Sequence, residues 1–281
     1  MRRLAGVKHL ALDLDGTLYL GGRLFPYTLE FLARVKELGI GRTFFTNNSS
    51  VSTAGYVTKL RKLGIDADER ELYSSTTATL DYLRRTWPDL KRLFVLGTPA
   101  LRTEFEENGY ALHEPTGERE LSGEPDAVVV GFDSTLDYKR LSRAAWWISR
   151  GKPFFATNCD VVCPTDEPTL LPDCGAICKL LAHATGREPD AVLGKPSPEM
   201  LYGAAGRVGV KPGEIAVVGD RIYTDVALAQ AAGAVSVLVL SGESTAKQAR
   251  VAKNPPDLVV ENVAELGRML CASRGSEPCA L

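Results

Sequence analysis

The hydrophobic positions of this chain fall into short continuous runs separated by amphipathic stretches, which predicts buried strands alternating with helices. Leu10-Ala11-Leu12 is such a run, within a strand read over 7–12, and is followed at once by Asp13-Leu14-Asp15-Gly16-Thr17-Leu18. Continuous apolar character marks a parallel strand covered on both faces, and Gly16 supplies a turn directly after it. Residues 19–24 read as a short hairpin with Gly21-Gly22 at its tip, able to close over the carboxylates as a flap. Residues 26–38 carry Leu29, Leu32, Ala33, Val35 and Leu38 at helical spacing, and Gly39 ends them as a C-cap. The next strand, around Thr43-Phe44-Phe45, runs out into Thr46-Asn47-Asn48-Ser49-Ser50, and a helix is expected over 53–63. Strand, helix, strand is a right-handed crossover, so Thr46 and Asn47 reach the same sheet edge as Asp13.

From about Thr79 the alternation starts afresh, with strands at 92–97, 127–132 and 153–157 and helices at 138–149 and 174–184. The turn residues Glu114-Pro115-Thr116-Gly117 carry no assignment. The first pattern resumes at Ala191-Val192-Leu193-Gly194-Lys195-Pro196-Ser197-Pro198, then a helix at 199–208 and a strand at 215–220 ending in Asp220. A helix at 224–232, opened by Asp225, and strands at 235–240 and 258–260 complete it, with a frayed tail from Ser273. With 281 residues the chain exceeds the usual single domain. The expected division is 1–78 and 188–281 as one α/β unit, with 79–187 inserted as another.

Charge removes several function classes. Lys plus Arg (33) nearly balances Asp plus Glu (35) with no long basic run, so the footprint of a nucleic-acid binder is missing. No apolar stretch approaches the roughly 20 residues that cross a bilayer. Lys8 and His9 interrupt the first apolar region, which fails as a signal peptide, so a cytoplasmic location is expected. Six cysteines in a chain of this size do not make a disulfide scaffold. Cys159-x3-Cys163-x10-Cys174-x3-Cys178 could serve zinc, against the simpler reading of free thiols, with Cys178 on a helix as an ordinary apolar residue.

The chemistry-bearing residues gather at predicted strand ends, the edge where open α/β sheets bind ligands. Asp13 and Asp15, two apart on extended chain, lie on one side and invite a divalent cation; Mg²⁺ is typically held by one or two such carboxylates. Lys195 is a cation fixed between Gly194 and Pro196. Asp225 has the additional reading of a first-turn acid favoured by the helix dipole. Arg42-Thr43-Phe44-Phe45-Thr46-Asn47 has an echo in Lys152-Pro153-Phe154-Phe155-Ala156-Thr157-Asn158. Chain order favours Thr46 as the partner of Asp13, leaving Thr157 to face the site from the inserted unit.

Asp13-x-Asp15-Gly16-Thr17, Thr46-Asn47-Asn48-Ser49, Lys195 after Gly194, and Gly219-Asp220-x4-Asp225 resemble, in order, the four motifs of the haloacid dehalogenase (HAD) superfamily, in its NagD-like and 4-nitrophenyl phosphatase branch. The resemblance spans nearly the whole chain. It implies a Rossmann-like parallel-sheet core with an inserted α/β cap of the large C2 type. It further implies a phosphatase in which Asp13 is the nucleophile and Asp15 the general acid and base. Mg²⁺ is held by Asp13, the backbone carbonyl of Asp15, and Asp220, while Asp225 orients Lys195 or a metal-bound water. Thr46, Asn47, Asn48 and Lys195 bind the phosphoryl group. Asp160 and Cys163 lie in the loop expected to read the leaving group, and Cys163 stands where the pyridoxal phosphate phosphatases have His. A small hydroxyl-rich phosphomonoester such as a sugar phosphate is the expected substrate, and a homodimer through the cap is compatible with the resemblance.

Two alternatives accompany this reading. A phosphotransferase keeps the same residues and differs in the acceptor; a ligand-binding or regulatory protein on this fold keeps the shape without turnover. Dehalogenases of the superfamily lack the second acid, which Asp15 supplies here.

Overall fold

The computed structural model describes residues 3–113, 123–163 and 168–275. The unassigned turn at 114–117 and the last six residues of the expected frayed tail lie outside the described residues.

His9–Asp13 is the central strand of a six-stranded sheet because both of its faces are covered: Leu10, Ala11 and Leu12 are buried. It pairs in parallel with Ile215–Gly219 on one side and Gly41–Thr46 on the other. The full order is Leu258–Val260, Val235–Val239, Ile215–Gly219, His9–Asp13, Gly41–Thr46, Leu72–Ser74. The chain leaves the central strand toward Gly41–Thr46 and later returns on its other side, so the order reverses between His9–Asp13 and Ile215–Gly219. In a doubly wound sheet that reversal opens a crevice at the strands' carboxyl ends.

Helices seal the faces. Phe31, Leu32 and Val35 from Thr28–Glu37 and Leu266 and Leu270 from Val263–Ser273 pack into one core with Leu10, Leu12, Val218 and Val237. Each such side chain contributes about 1.5–3 kcal/mol relative to exposure. Buried Thr28 donates from Oγ1 to the Leu18 carbonyl at 2.6 Å, tying this helix to the loop that follows Asp13. The expected hairpin is present as Tyr19–Leu20 against Arg23–Leu24.

The chain divides into two compact units. One holds Met1–Thr46, Thr53–Tyr73 and Lys195–Leu281; the other holds Asn47–Ser52 and Ser74–Gly194. The second has its own parallel sheet in the order Ala191–Val192, Phe154–Ala156, Ala127–Val130, Arg92–Leu96, Ala111–Leu112. Ala191–Val192, read from the sequence as the return to the first sheet, is therefore an edge strand of the second. Trp147 and Ile148 from Tyr138–Ser149 and Ile177 and Leu181 from Cys174–Thr185 cover one core of this unit. Helix Pro99–Glu107, which apolar periodicity did not reveal, begins with a Thr98 cap that accepts from Leu101 N at 3.3 Å, and with proline in its first turn.

Candidate active site

Asp13 ends the central strand and Asp220 follows the adjacent strand Ile215–Gly219, so both stand at the topological reversal of the first unit's sheet. Lys195 bridges the centre. Its ammonium donates to Asp13 Oδ1 at 2.5 Å and to Asp225 Oδ1 at 2.7 Å, with Lys195 and Asp225 both buried. Burial alone would lower the lysine's pKa, but the flanking carboxylates Asp13 and Asp225 hold it above its ordinary range. Thr17 Oγ1 lies 3.3 Å from Asp13 Oδ2, and Thr46 is buried with its hydroxyl 3.3 Å from Tyr56 Oη.

The carboxylates differ in how their oxygens are used. Asp225 is committed on both: Oδ1 takes Lys195, and Oδ2 accepts from the Arg221 amide at 3.1 Å. Asp220 Oδ2 accepts from the Glu243 amide at 2.7 Å, while its buried Oδ1 has no hydrogen-bond partner among the described residues. A buried carboxylate oxygen without a donor is costly unless a cation completes it. Among the described residues, the one set of three or more His, Cys, Asp or Glu whose donor atoms converge is Asp13, Asp220 and Asp225, within 4.8 Å of one another. Burial pushes Asp13 up to about 7, against Lys195 and with help from Asp225 and Asp220; burial and then Asp225 push Asp220 up to about 6. The donor set thus carries more negative charge than Lys195 neutralises, and it fits a hard divalent cation.

Asp15 is exposed, and its Oδ1 accepts from Gly21 N at the hairpin tip at 3.4 Å. Its side chain stands outside the converging carboxylates of Asp13, Asp220 and Asp225.

Sequence reasoning missed what makes room for this cluster. Gly16 takes φ +83°, and a Cβ there would lie 2.5 Å from Asp220 Oδ2. One on Gly242, in the unremarked loop Ser241-Gly242-Glu243, would come within 2.1 Å of the same oxygen, and one on Gly219 within 2.2 Å of Asp225 Cγ. Ser241 Oγ donates to the Gly16 carbonyl at 2.7 Å, so this loop also braces the first motif. The signal available was a second glycine two residues beyond a buried strand. The helix expected at 224–232 is also corrected: Ile222–Val226 is a widened π turn, and the α-helix proper is Ala227–Ala232. The wider turn lets Asp225 reach back to the Arg221 amide while facing Lys195. Such turns recur at functional sites.

The remaining candidates belong to the second unit. Asn47 is buried, with Nδ2 donating to Asp160 Oδ2 at 3.1 Å. Asn48 Oδ1 accepts from Ser50 N at 2.8 Å and Ser50 Oγ at 2.6 Å, closing a turn. Cys163 lies half-buried in the strand Val162–Cys163, which pairs antiparallel with Leu171–Pro172. Thr157, expected to face a site, does not: it is fully buried and donates to Ser49 Oγ at 3.1 Å. The zinc reading of the cysteines also fails among the described residues, since Cys174 and Cys178 are buried with sulfurs 3.9 Å apart, and Cys159 and Cys163 do not join them in a donor cluster. No described helix is long and apolar enough to cross a membrane.

Comparison with known proteins agrees with this geometry. Residues 10–111 match the family model of haloacid dehalogenase-like hydrolases, and residues 192–266 a second HAD-hydrolase-like model. The chain is 30% identical over 260 residues to the ribonucleotide monophosphatase NagD of Escherichia coli K12, covering 92% of this chain and 98% of that protein. The crystal structure of a 4-nitrophenylphosphatase from Thermotoga maritima superposes with TM-score 0.87 at 40% identity, over 94% of this chain and 98% of that one. A glycerol phosphate phosphatase from Mycobacterium tuberculosis, solved in complex with magnesium, superposes with TM-score 0.83 at 31% identity, over 94% and 77%. The chain belongs to the haloacid dehalogenase-like hydrolases, in the branch of NagD and the 4-nitrophenylphosphatases, and is a phosphoric monoester hydrolase.

Proposed function

We propose that this protein hydrolyses small phosphomonoesters, sugar phosphates among them, in a Mg²⁺-dependent reaction with Asp13 as nucleophile. The observation that carries the reading is the trio Asp13, Asp220 and Asp225 around Lys195, with Asp220 Oδ1 left without a donor. Asp13, Asp220 and the backbone carbonyl of Asp15 would hold the metal, which when bound offsets the repulsion between carboxylate and phosphate. A carboxylate oxygen of Asp13 attacks phosphorus in line, forming an aspartyl phosphate as the bond to the ester oxygen breaks. Asp15 delivers a proton to the departing alkoxide, then takes one from the water that attacks the aspartyl phosphate and releases inorganic phosphate. Lys195, Thr46 and Asn47 stabilise the equatorial phosphoryl oxygens, and Asp225 keeps Lys195 charged and aimed. Asp160 and Cys163 are assigned to leaving-group choice.

The relatives named above act on nucleotide, nitrophenyl and glycerol phosphates, which supports the class and leaves the ester open. Screening phosphorylated metabolites with Mg²⁺ should give turnover that chelation abolishes, with phosphate on Asp13 in acid-quenched enzyme. Asp15→Asn should slow alkyl phosphates by about 10²–10⁴-fold, the usual range for general-acid catalysis. It should slow the first step with 4-nitrophenyl phosphate far less, because that phenolate leaves without a proton. Equal slowing of the phosphoryl-transfer step for both would remove the assignment.

A further inference from the structure

Asn47 is the first residue of the second unit and is joined by its peptide bond to Thr46, the last residue of a first-unit strand. Its carbonyl accepts from Ser75 Oγ at 2.6 Å and from Asn158 Nδ2 at 2.8 Å. Both donors have no exposed surface. One donor would satisfy the carbonyl; two, from segments more than eighty residues apart, use both lone pairs and fix the direction of the group. Each is itself placed: Ser75 opens the helix Ser75–Thr86, and Asn158 follows the strand Phe154–Ala156 and accepts from Asp160 N at 3.0 Å through Oδ1. The Asn47 side chain is bounded as well, since a Cβ on Gly194, the residue before Lys195, would come within 2.7 Å of Asn47 Oδ1.

The sequence echo acquires a meaning here. Thr157-Asn158, the second copy of Thr46-Asn47, grips the end of the first copy and the segment after it: Asn158 bonds Asn47 and Thr157 bonds Ser49. We propose that Ser75 and Asn158 are positioning residues that, by pinning the Asn47 carbonyl, fix the plane of the Asn47–Asn48 peptide and so hold the backbone directly after Thr46 in place for phosphoryl binding. This rests on the phosphatase reading above. The phosphoryl group is common to all substrates, so the clamp acts on every ester alike, whereas Asp160 and Cys163 would act on some and not others. A misplacement of about 1 Å in such donors costs up to ~10²-fold.

The test compares Asn158→Asp and Ser75→Ala with the wild-type protein. Asn158→Asp keeps shape but replaces the donor with an acceptor. Inhibition by orthovanadate, which mimics pentacoordinate phosphorus, and kcat/KM for 4-nitrophenyl, glycerol and sugar phosphates are measured alongside melting temperature. The expected result is a loss of about 10–10²-fold in orthovanadate affinity and in kcat/KM for every ester, with their ranking unchanged. Ser75→Thr, which keeps the hydroxyl, should recover most of it. Wild-type constants in folded Asn158→Asp overturn the clamp, as does a changed ester ranking; should that variant not fold, wild-type orthovanadate inhibition in Ser75→Ala overturns it. A wild-type protein that hydrolyses no ester would instead overturn the phosphatase reading itself.

Discussion

The two sheets of this chain share a plan and differ at their edges. In each, a central strand sends the chain first to one side and then to the other, so that the order reverses beside His9–Asp13 in the first and beside Arg92–Leu96 in the second. At the first reversal the strand ends carry Asp13 and Asp220, with raised carboxyl pKa values and an oxygen that lacks a donor. The corresponding ends of the second carry Gly97-Thr98, Gly131 and Thr157-Asn158, and their polar groups are spent on neighbours: Thr98 Oγ1 on the Ser50 carbonyl, Thr157 on Ser49. Topology supplies a crevice in both cases; the side chains at its lip decide whether it does chemistry or holds its own chain.

Matched substitutions would break this contrast if it were wrong. Asp13→Asn should reduce turnover by a factor on the order of 10⁴ or more, the scale of losing a nucleophile that works within a set. Asp133, the carboxylate near the second reversal, is buried and accepts from Arg140 at 2.7 Å and from Thr135 Oγ1 at 2.7 Å. Asp133→Asn should leave kcat unchanged and lower stability by about 1.5–3 kcal/mol, read from denaturant unfolding. The echoed threonines form the next pair. Thr46→Ala should cost about 10²–10³ in kcat/KM, as removal of one donor to a developing oxyanion does. Thr157→Ala should cost about 1 kcal/mol of stability and leave substrate ranking as it was.

Protons sharpen the comparison further. Because burial raises Asp13 to about 7, the carboxylate proposed as nucleophile loses its charge as pH falls through neutrality at low Mg²⁺. Saturating Mg²⁺ should move the acid limb of kcat/KM down by roughly 1–3 pH units. A limb insensitive to Mg²⁺ would argue that no metal sits against Asp13. The amino end of the same strand provides the control. Burial depresses His9 to about 4, opposed by Glu71, and its Nε2 lies 2.8 Å from Thr43 Oγ1. Between that value and about 6.5 the unfolded chain binds the proton and the folded one does not. The contribution is therefore complete above pH 6.5 and fades as pH falls toward 4, with a slope of at most about 1.4 kcal/mol per unit. His9→Gln should remove that slope from the pH dependence of unfolding without touching the Mg²⁺-dependent limb.

The legible parts of the fold share a physical cause. Buried parallel strands read as apolar runs, so His9–Asp13, Ile215–Gly219 and Val235–Val239 emerged close to their true bounds, and Asp13, Lys195, Asp220 and Asp225 meet as the motif order implied. Ala191–Val192 was misplaced because a two-residue edge strand has no periodicity, and only its pairing with Phe154–Ala156 says which sheet it joins. The π turn at Ile222–Val226 was invisible because it depends on where Asp225 finds its partner, a tertiary fact. Thr157 misled for the converse reason. The echo reproduced a strand and its polar end, while the burial that consumes the hydroxyl comes from Ser49 and Cys174, far off in sequence.

Gly16, Gly219 and Gly242 leave a further consequence for how such proteins are recognised. The site is outlined as much by three missing methyl groups as by its acids, since each Cβ would fall inside the van der Waals envelope of Asp220 or Asp225. A homologue that kept every acid but carried alanine at position 242 would satisfy a search for ionisable residues and still displace the Asp220 carboxylate. A description of this site is therefore incomplete until it specifies bare backbone at positions 16, 219 and 242 beside the acids themselves.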